Sequence, residues 1–271
     1  MRQPKGIRSI ETGFRVLRAL EVAAHPLTLT QIAAASGIGM SSARFYLVSL
    51  MRTGAVTQTS AGGRYRLGPA ALRMGLAALS QNDALRIARD RLEPLSDATG
   101  ESVYLSVWGE FGPVVVNRVD GDHMGPFGIR VGTRATLLDT AAGKVFLSYM
   151  PESQTRRVMR KSPSVRERRG RLAVVGTRVE DIVAEVRRQG FACSHGIKPG
   201  IQAIAAPVFG IDGLQCVIAV VGHEGEFDTS AAGLPVRSLL ETTRSASRDA
   251  GFSGEPPGRR GAAPARVTGV A

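Results

Sequence analysis

Between Leu29 and Gly54 the chain spells a short helix, a Gly37-Ile38-Gly39 turn and a longer helix, and this spacing constrains the fold more than any other feature. Thr28 stands at a cap position before Leu29–Ala35, whose apolar face is Leu29, Ile32 and Ala33, and Gly37 stops that helix. From about Met40 to Thr53, Ala43, Tyr46, Leu47, Leu50 and Met51 fall on one side, and Gly54 ends the run. Upstream, Ile10, Phe14, Leu17 and Leu20 recur at helical intervals, with Ser9 placed to cap and Glu11 in the first turn. That helix is expected to end near Ala24, before His25-Pro26. Downstream, Ala55–Thr59, a Ser-Ala-Gly-Gly turn at 60–63 and Arg64–Leu67 read as a hairpin. Three helices followed by a hairpin is the order of a winged helix-turn-helix.

Such a unit holds its second helix at a fixed angle so that polar residues near that helix's N-terminus enter the major groove of double-stranded DNA. Here the helix opens Met40-Ser41-Ser42-Ala43-Arg44. Ser41 and Ser42 are small enough for close approach, and Arg44 has the fork geometry that reads guanine. Arg64 and Arg66, alternating with Tyr65 beyond the glycine turn, are candidates to straddle a phosphate or enter the minor groove. Arg52 and Arg15 are further candidates. The bland alternative makes the serines helix caps and Arg44 a solvated surface residue.

Charge points the same way. The chain carries +12, and residues 1–80 hold ten Lys/Arg against two Glu, a net +8. A polyanion is the simplest partner for a basic segment of this kind. With 43% hydrophobic residues, 271 residues are enough for two domains, each with its own core. The longest apolar run, Cys216–Val221, is far shorter than the roughly 20 residues that span a bilayer. No membrane association and a cytoplasmic location are therefore expected. Two cysteines, Cys193 and Cys216, give neither a disulfide framework nor a zinc ligand set, and no cofactor is expected.

Pro69–Thr99 reads as helix in two pieces linking the domains. Gly100 then opens β-type segments at Ser102–Trp108, Val114–Val119 and Phe127–Val131. Helices are expected at Asp139–Met150, Pro151–Lys161 and Arg178–Gln189, with the basic stretch 162–176 as a loop. Strands at Phe191–Ser194, Ala203–Phe209 and Gln215–Val221 and a last helix over Ser230–Ala250 complete an antiparallel α+β domain. The expected divisions are a winged helix-turn-helix over 1–68, a helical linker over 69–99, an α+β domain over 100–250 and a disordered tail over 251–271.

Ile7 through Leu17, Leu29-Thr30-Gln31-Ile32-Ala33 and Gly63-Arg64-Tyr65-Arg66-Leu67-Gly68 resemble the IclR family of bacterial transcriptional regulators. So do Thr99 through Leu105, Gly132 through Lys144, Arg187 through Phe191 and Ile204 through Val208, so that the resemblance spans about residues 7–250. It implies a homodimer or homotetramer that binds operator DNA and responds to a small-molecule effector, usually as the repressor of a catabolic operon. The implied effector cup is lined by Arg130, Thr133, Leu137, Ala141, Ala142, Cys193, Ile201, Ala203, Ala219 and Val221. These are mostly apolar, which suits an organic acid, aromatic ones included, with Arg130, Arg134 or the first amides of the Asp139–Met150 helix taking its anionic group. Two departures stand out. Phe45 replaces a usual arginine of the third helix, and Ser194 through Lys198 replaces usually acidic residues.

The rival reading is an enzyme. His25, His123, His195 and His223 are scattered, Gly-x-Ser-x-Gly is absent, and Gly143-Lys144 lacks the preceding glycine of a phosphate loop. Only Cys193 and His195, two apart on a strand, offer a nucleophile pair or half a metal site. An RNA-binding protein is a third reading, weakened by the shortage of aromatic residues that stack unpaired bases.

Overall fold

In the computed structural model the described residues are 6–23, 25–59, 63–122, 128–160, 165–168, 171–174, 177–195 and 200–254. The chain divides into two units, 1–81 and 82–271.

The first unit is organised by the helical periodicities. Helix α1 (Arg8–Val22) starts one residue before Ser9, with Ile7 at its cap and no side-chain cap, so Ser9 is not the cap that its position suggested. Helix α2 (Leu29–Ser36) opens on a reciprocal capping box. Thr28 Oγ1 accepts the Gln31 amide at 3.3 Å and Gln31 Oε1 accepts the Thr28 amide at 2.9 Å, satisfying two otherwise orphaned donors. Gly37 ends it in the left-handed region at φ 65°, where a side chain would be strained. Helix α3 (Met40–Arg52) follows. Strands β1 (Val56–Gln58) and β2 (Tyr65–Leu67) pair antiparallel, and Tyr65 also exchanges backbone hydrogen bonds with Leu27 at 2.7 and 2.9 Å. The hairpin is thereby fixed to the chain entering α2. Val16, Leu20, Ile32, Leu47 and Val56 form the core of these elements. Helix α4 (Pro69–Ser80) begins on a proline, whose missing N–H costs a first turn nothing.

The second unit begins with α5 (Asp83–Arg89) and α6 (Leu92–Thr99), so the segment expected as two helical pieces contains three helices. Strands β3 (Ser102–Gly109) and β4 (Gly112–Val119) form a hairpin. A third strand expected at Phe127–Val131 does not form over its described part. Gly128 and Gly132 take φ 74° and 89°, and the segment hooks onto β4 through Gly132 N–H to Val115 O and Val115 N–H to Thr133 O.

Helices α7 (Ala141–Tyr149) and α8 (Glu152–Met159) come next. The stretch expected as a loop instead contains β5 (Val165–Arg168), β6 (Arg171–Val174) and β7 (Thr177–Arg178), an antiparallel sheet of its own. Val165-Arg166-Glu167-Arg168 and Arg171-Leu172-Ala173-Val174 lack the alternation of apolar and polar residues by which a half-buried strand is read from sequence. Helix α9 (Val179–Gln189) leads into β8 (Ala192–Ser194), β9 (Ile201–Gly210) and β10 (Gly213–His223). Helix α10 (Leu234–Asp249) starts later than its expected Ser230, with Pro235 in its first turn. Residues 255–271 of the expected tail lie outside the described residues.

The main sheet has the order β4-β3-β10-β9-β8, antiparallel throughout. Helix α7 covers one face and α5, α6 and α10 the other. Two covered faces explain why β10 is buried without interruption from Cys216 to Gly222 and reads as a continuous apolar run. Among the described residues no helix is long and apolar enough to cross a membrane.

Candidate functional site

Two places gather the sequence-predicted residues. The first is the outward side of α3. Ala43 and Leu47 are buried in the core of the first unit, while Ser41, Ser42, Arg44 and Arg52 are all exposed. Phe45, at the position of the family's usual arginine, is the most exposed large apolar side chain of the helix at 75%, ahead of Met40 at 55%. On the hairpin, Arg66 is exposed. Arg64 is exposed as well, and its guanidinium donates to Pro26 O at 3.3 Å and to Gln31 Oε1 at 3.5 Å, bracing the hairpin against the start of α2. Arg15 donates to Thr12 Oγ1 within α1 at 3.1 Å.

The second place is a cavity of about 220 Å³ between α7 and the main sheet. Strand register builds its floor. Tyr104 lies opposite Ala219, Ala203 opposite both Val221 and Ser194, and Ser106 opposite Val115, so all seven side chains share one face. Thr133, Ala141, Ala142, Ile201, Ala203, Ala219 and Val221, all expected in the cup, line it. Arg130, Leu137 and Cys193 do not. Arg130 is exposed and its amide donates to Thr133 Oγ1 at 2.9 Å. Leu137 is buried beside a neighbouring groove with Phe111 and Arg157. Cys193 pairs with Ile204, one residue out of phase with Ser194, and its thiol lies 3.8 Å from Thr229 O.

The roof follows from local chemistry. Thr140 caps α7, its Oγ1 accepting the Gly143 amide at 3.0 Å and donating to Thr136 O at 2.7 Å. Gly143 has no alternative. A Cβ there would sit 1.9 Å from Thr136 O and 2.7 Å from Leu137 Cα, so a glycine is what lets the incoming backbone lie against the helix. Thr140, Ala141 and Ala142 therefore meet the cavity at the helix N-terminus, where backbone amides favour an anion.

Two polar groups distinguish the cavity from a plain apolar void. Tyr104 is only 2% exposed, yet its hydroxyl lacks a hydrogen-bond partner among the described residues. Burial pushes its pKa up against the opposing field of Arg118; Ser102 stands close enough to temper the shift without making a bond of acceptable geometry. Arg134 lies on the rim, its guanidinium 4.9 Å from the centre of the Phe111 ring. Tyr104, Ser106, Ser194 and Thr140 are the polar lining residues that the sequence alone did not single out. The alternation within Ser102–Trp108 put Tyr104 and Ser106 on a common face, but only the pairing with β10 identifies that face as the cavity side.

The groups that suggested an enzyme are arranged otherwise. Burial pushes the Cys193 thiol up, away from the reactive thiolate, with Lys144 opposing the shift. His195 is exposed, just past the end of β8. Among the described residues no group of three or more His, Cys, Asp and Glu is placed to hold a metal ion. Of the basic run after α7, Arg156 pairs with Glu152 at 2.8 Å and Arg157 donates to Glu110 O at 3.1 Å.

Comparison with known proteins gives this arrangement a family. The model "IclR helix-turn-helix domain" matches residues 9–60 and "Bacterial transcriptional regulator IclR C-terminal" matches residues 76–249. The glycerol operon regulatory protein of Streptomyces coelicolor is 27% identical over 255 residues, covering 91% of this chain and 98% of the relative. The crystal structure of an IclR transcriptional regulator from Alicyclobacillus acidocaldarius is 26% identical with a TM-score of 0.72, covering 91% of this chain and all of that one, 100%. An IclR homologue from Microbacterium hydrocarbonoxydans, solved with 4-hydroxybenzoate, is 20% identical with a TM-score of 0.68, covering 89% and 98%. The matched models and these relatives describe transcription regulators, not enzymes. The two models fall along the chain in the order in which the fold sets out its helix-turn-helix and its cavity-bearing sheet, and the chain accordingly belongs to the IclR family of bacterial transcriptional regulators.

Proposed function

We propose that this regulator acts as a homodimer or homotetramer on operator DNA and that a small organic acid, held in the α7 cavity, alters its affinity for that DNA. The observation that carries the effector class is the buried Tyr104 hydroxyl, without a hydrogen-bond partner among the described residues, in an otherwise largely apolar cavity with Arg134 on its rim. A hydroxyl in such a place donates to a ligand oxygen, and the first amides of α7 and the Arg134 guanidinium suit a carboxylate. An aromatic acid is the favoured case, since 4-hydroxybenzoate was bound by the Microbacterium homologue.

Ser41, Ser42, Arg44, Arg52, Arg64 and Arg66 are the proposed DNA contacts, supported by their shared exposure and by the +8 charge of residues 1–80. Leu72 and Leu76, 65% and 57% exposed one turn apart on α4, support pairing of two copies through that helix. Repression of a catabolic operon is the proposed outcome, with release when the acid binds. Calorimetric titration of the full chain with aromatic and aliphatic carboxylates tests the effector class. Heat from at least one carboxylate, lost in Tyr104→Phe or Arg134→Ala, is the expected result; no heat from any carboxylate would refute it.

A further inference from the structure

Phe45 stands where an apolar ring has no structural reason to be. At about 100° per residue it lies roughly 160° around α3 from both Ala43 and Leu47, the two residues that bury the helix. Ser41 precedes it by one turn and Arg52 follows it by two on the same stripe, with Ser42 and Arg44 to either side. At 75% exposure the ring forgoes nearly all the burial that its apolar surface would otherwise gain.

What covers it follows from its neighbours. A protein partner would call for a continuous apolar patch, yet Ser41, Ser42, Arg44 and Ser49 around the ring are exposed and polar, and the one apolar neighbour a turn away, Val48, is half-buried. Duplex DNA fits both components, because guanidinium groups take the phosphates while the floor of the major groove presents one apolar group, the 5-methyl of thymine. We infer that Phe45 is a specificity-determining residue, packing its ring on the 5-methyl group of a thymine in the major groove entered by α3. The inference deepens the reading of α3 as the DNA-recognition helix and rests on it.

The test uses the full-length chain. A preferred duplex is selected from a random library, and each thymine in it is then replaced singly by deoxyuridine, which removes the methyl and leaves the pairing edge unchanged. Loss of one methyl, or of a symmetry-related pair, is expected to weaken wild-type binding by about 3- to 10-fold, the scale of burying one or two methyl groups. Phe45→Ala should bind the thymine duplex more weakly by a similar factor and be indifferent to that methyl, whereas Phe45→Leu should retain part of the sensitivity. The exposed position makes both variants compatible with folding. Tolerance of uracil at every position, or a methyl effect that persists undiminished in Phe45→Ala, overturns the inference while leaving sequence-specific binding intact. Failure of any duplex to enrich over unrelated DNA overturns the recognition-helix reading itself, and the inference with it.

Discussion

The ammonium of Lys144 donates to the backbone carbonyl of Cys193 at 2.8 Å, tying the middle of α7 to the three-residue edge strand β8. Burial holds the Lys144 pKa below the ordinary lysine range, with Cys193 and Asp139 opposing that shift. The lysine therefore fixes the strand whose next residue, Ser194, lines the cavity. Lys144→Met should lower stability by about 1.5–3 kcal/mol, the range for a hydrogen bond to a charged group, as read by urea unfolding. In the wild type the unfolded chain takes up this proton more readily than the folded one. The Lys144 contribution should therefore rise as pH climbs from the folded pKa toward about 10.4, a rise that Lys144→Met lacks.

Tyr104→Phe should separate stability from function. Removing a buried hydroxyl that lacks a partner among the described residues is expected to stabilise the ligand-free chain by about 1 kcal/mol. The same change should weaken binding of a carboxylate in the cavity. Thermal unfolding and calorimetry on one preparation read both, and a destabilised variant with unchanged affinity would assign Tyr104 to packing alone.

Gly143→Ala should be among the most damaging single-methyl changes in the second unit. The added carbon would collide with the backbone at Thr136 and Leu137, neither of which is a flexible side chain. A loss of about 1–3 kcal/mol or more is expected from overpacking of this kind, together with loss of ligand binding. Denaturant unfolding that left the midpoint in place would show that the α7 entry can move aside.

Both thiols should react slowly in the folded chain. Burial raises the pKa of Cys193 and, more strongly, of Cys216, so the thiolate fraction at neutral pH lies below that of a free cysteine and grows only as pH rises. Labelling at pH 7 in native buffer and in urea measures the ratio. Fast native labelling of Cys193 would revive the nucleophile reading.

Arg44→Ala should weaken binding to the preferred duplex by about 1–3 kcal/mol and relax preference at one base position, with the oligomeric state unchanged. Equal affinity by fluorescence anisotropy would remove Arg44 from the interface.

What the sequence disclosed, and what it withheld, divides along local and long-range structure. The Thr28 and Gln31 capping box, the Gly37 stop and the burial of Ala43 and Leu47 are set by neighbours within one or two helical turns, so periodicity and cap chemistry revealed them. The outward direction of Phe45 is readable from the same helical spacing, since it lies two residues from both Ala43 and Leu47. Cys193 and Ser194 differ only in strand parity, and which of them faces α7 depends on pairing with Ala203 and Ile204 across β9. Tyr104 depends likewise on its register with Ala219, more than a hundred residues along the chain. The small sheet of β5, β6 and β7 is hidden by charge, because a stretch this rich in arginine, with no apolar alternation, reads as a solvated loop until its backbone is seen to pair.

The central claim is sequence-specific duplex binding, and its most direct measurement is the affinity of the full-length chain for a selected duplex and for unrelated DNA across a salt series. A preference of at least about 10³-fold for the selected duplex is expected. Log affinity should also fall linearly with log salt as phosphate contacts release counterions. Equal affinity for the two duplexes at every salt concentration would contradict that claim.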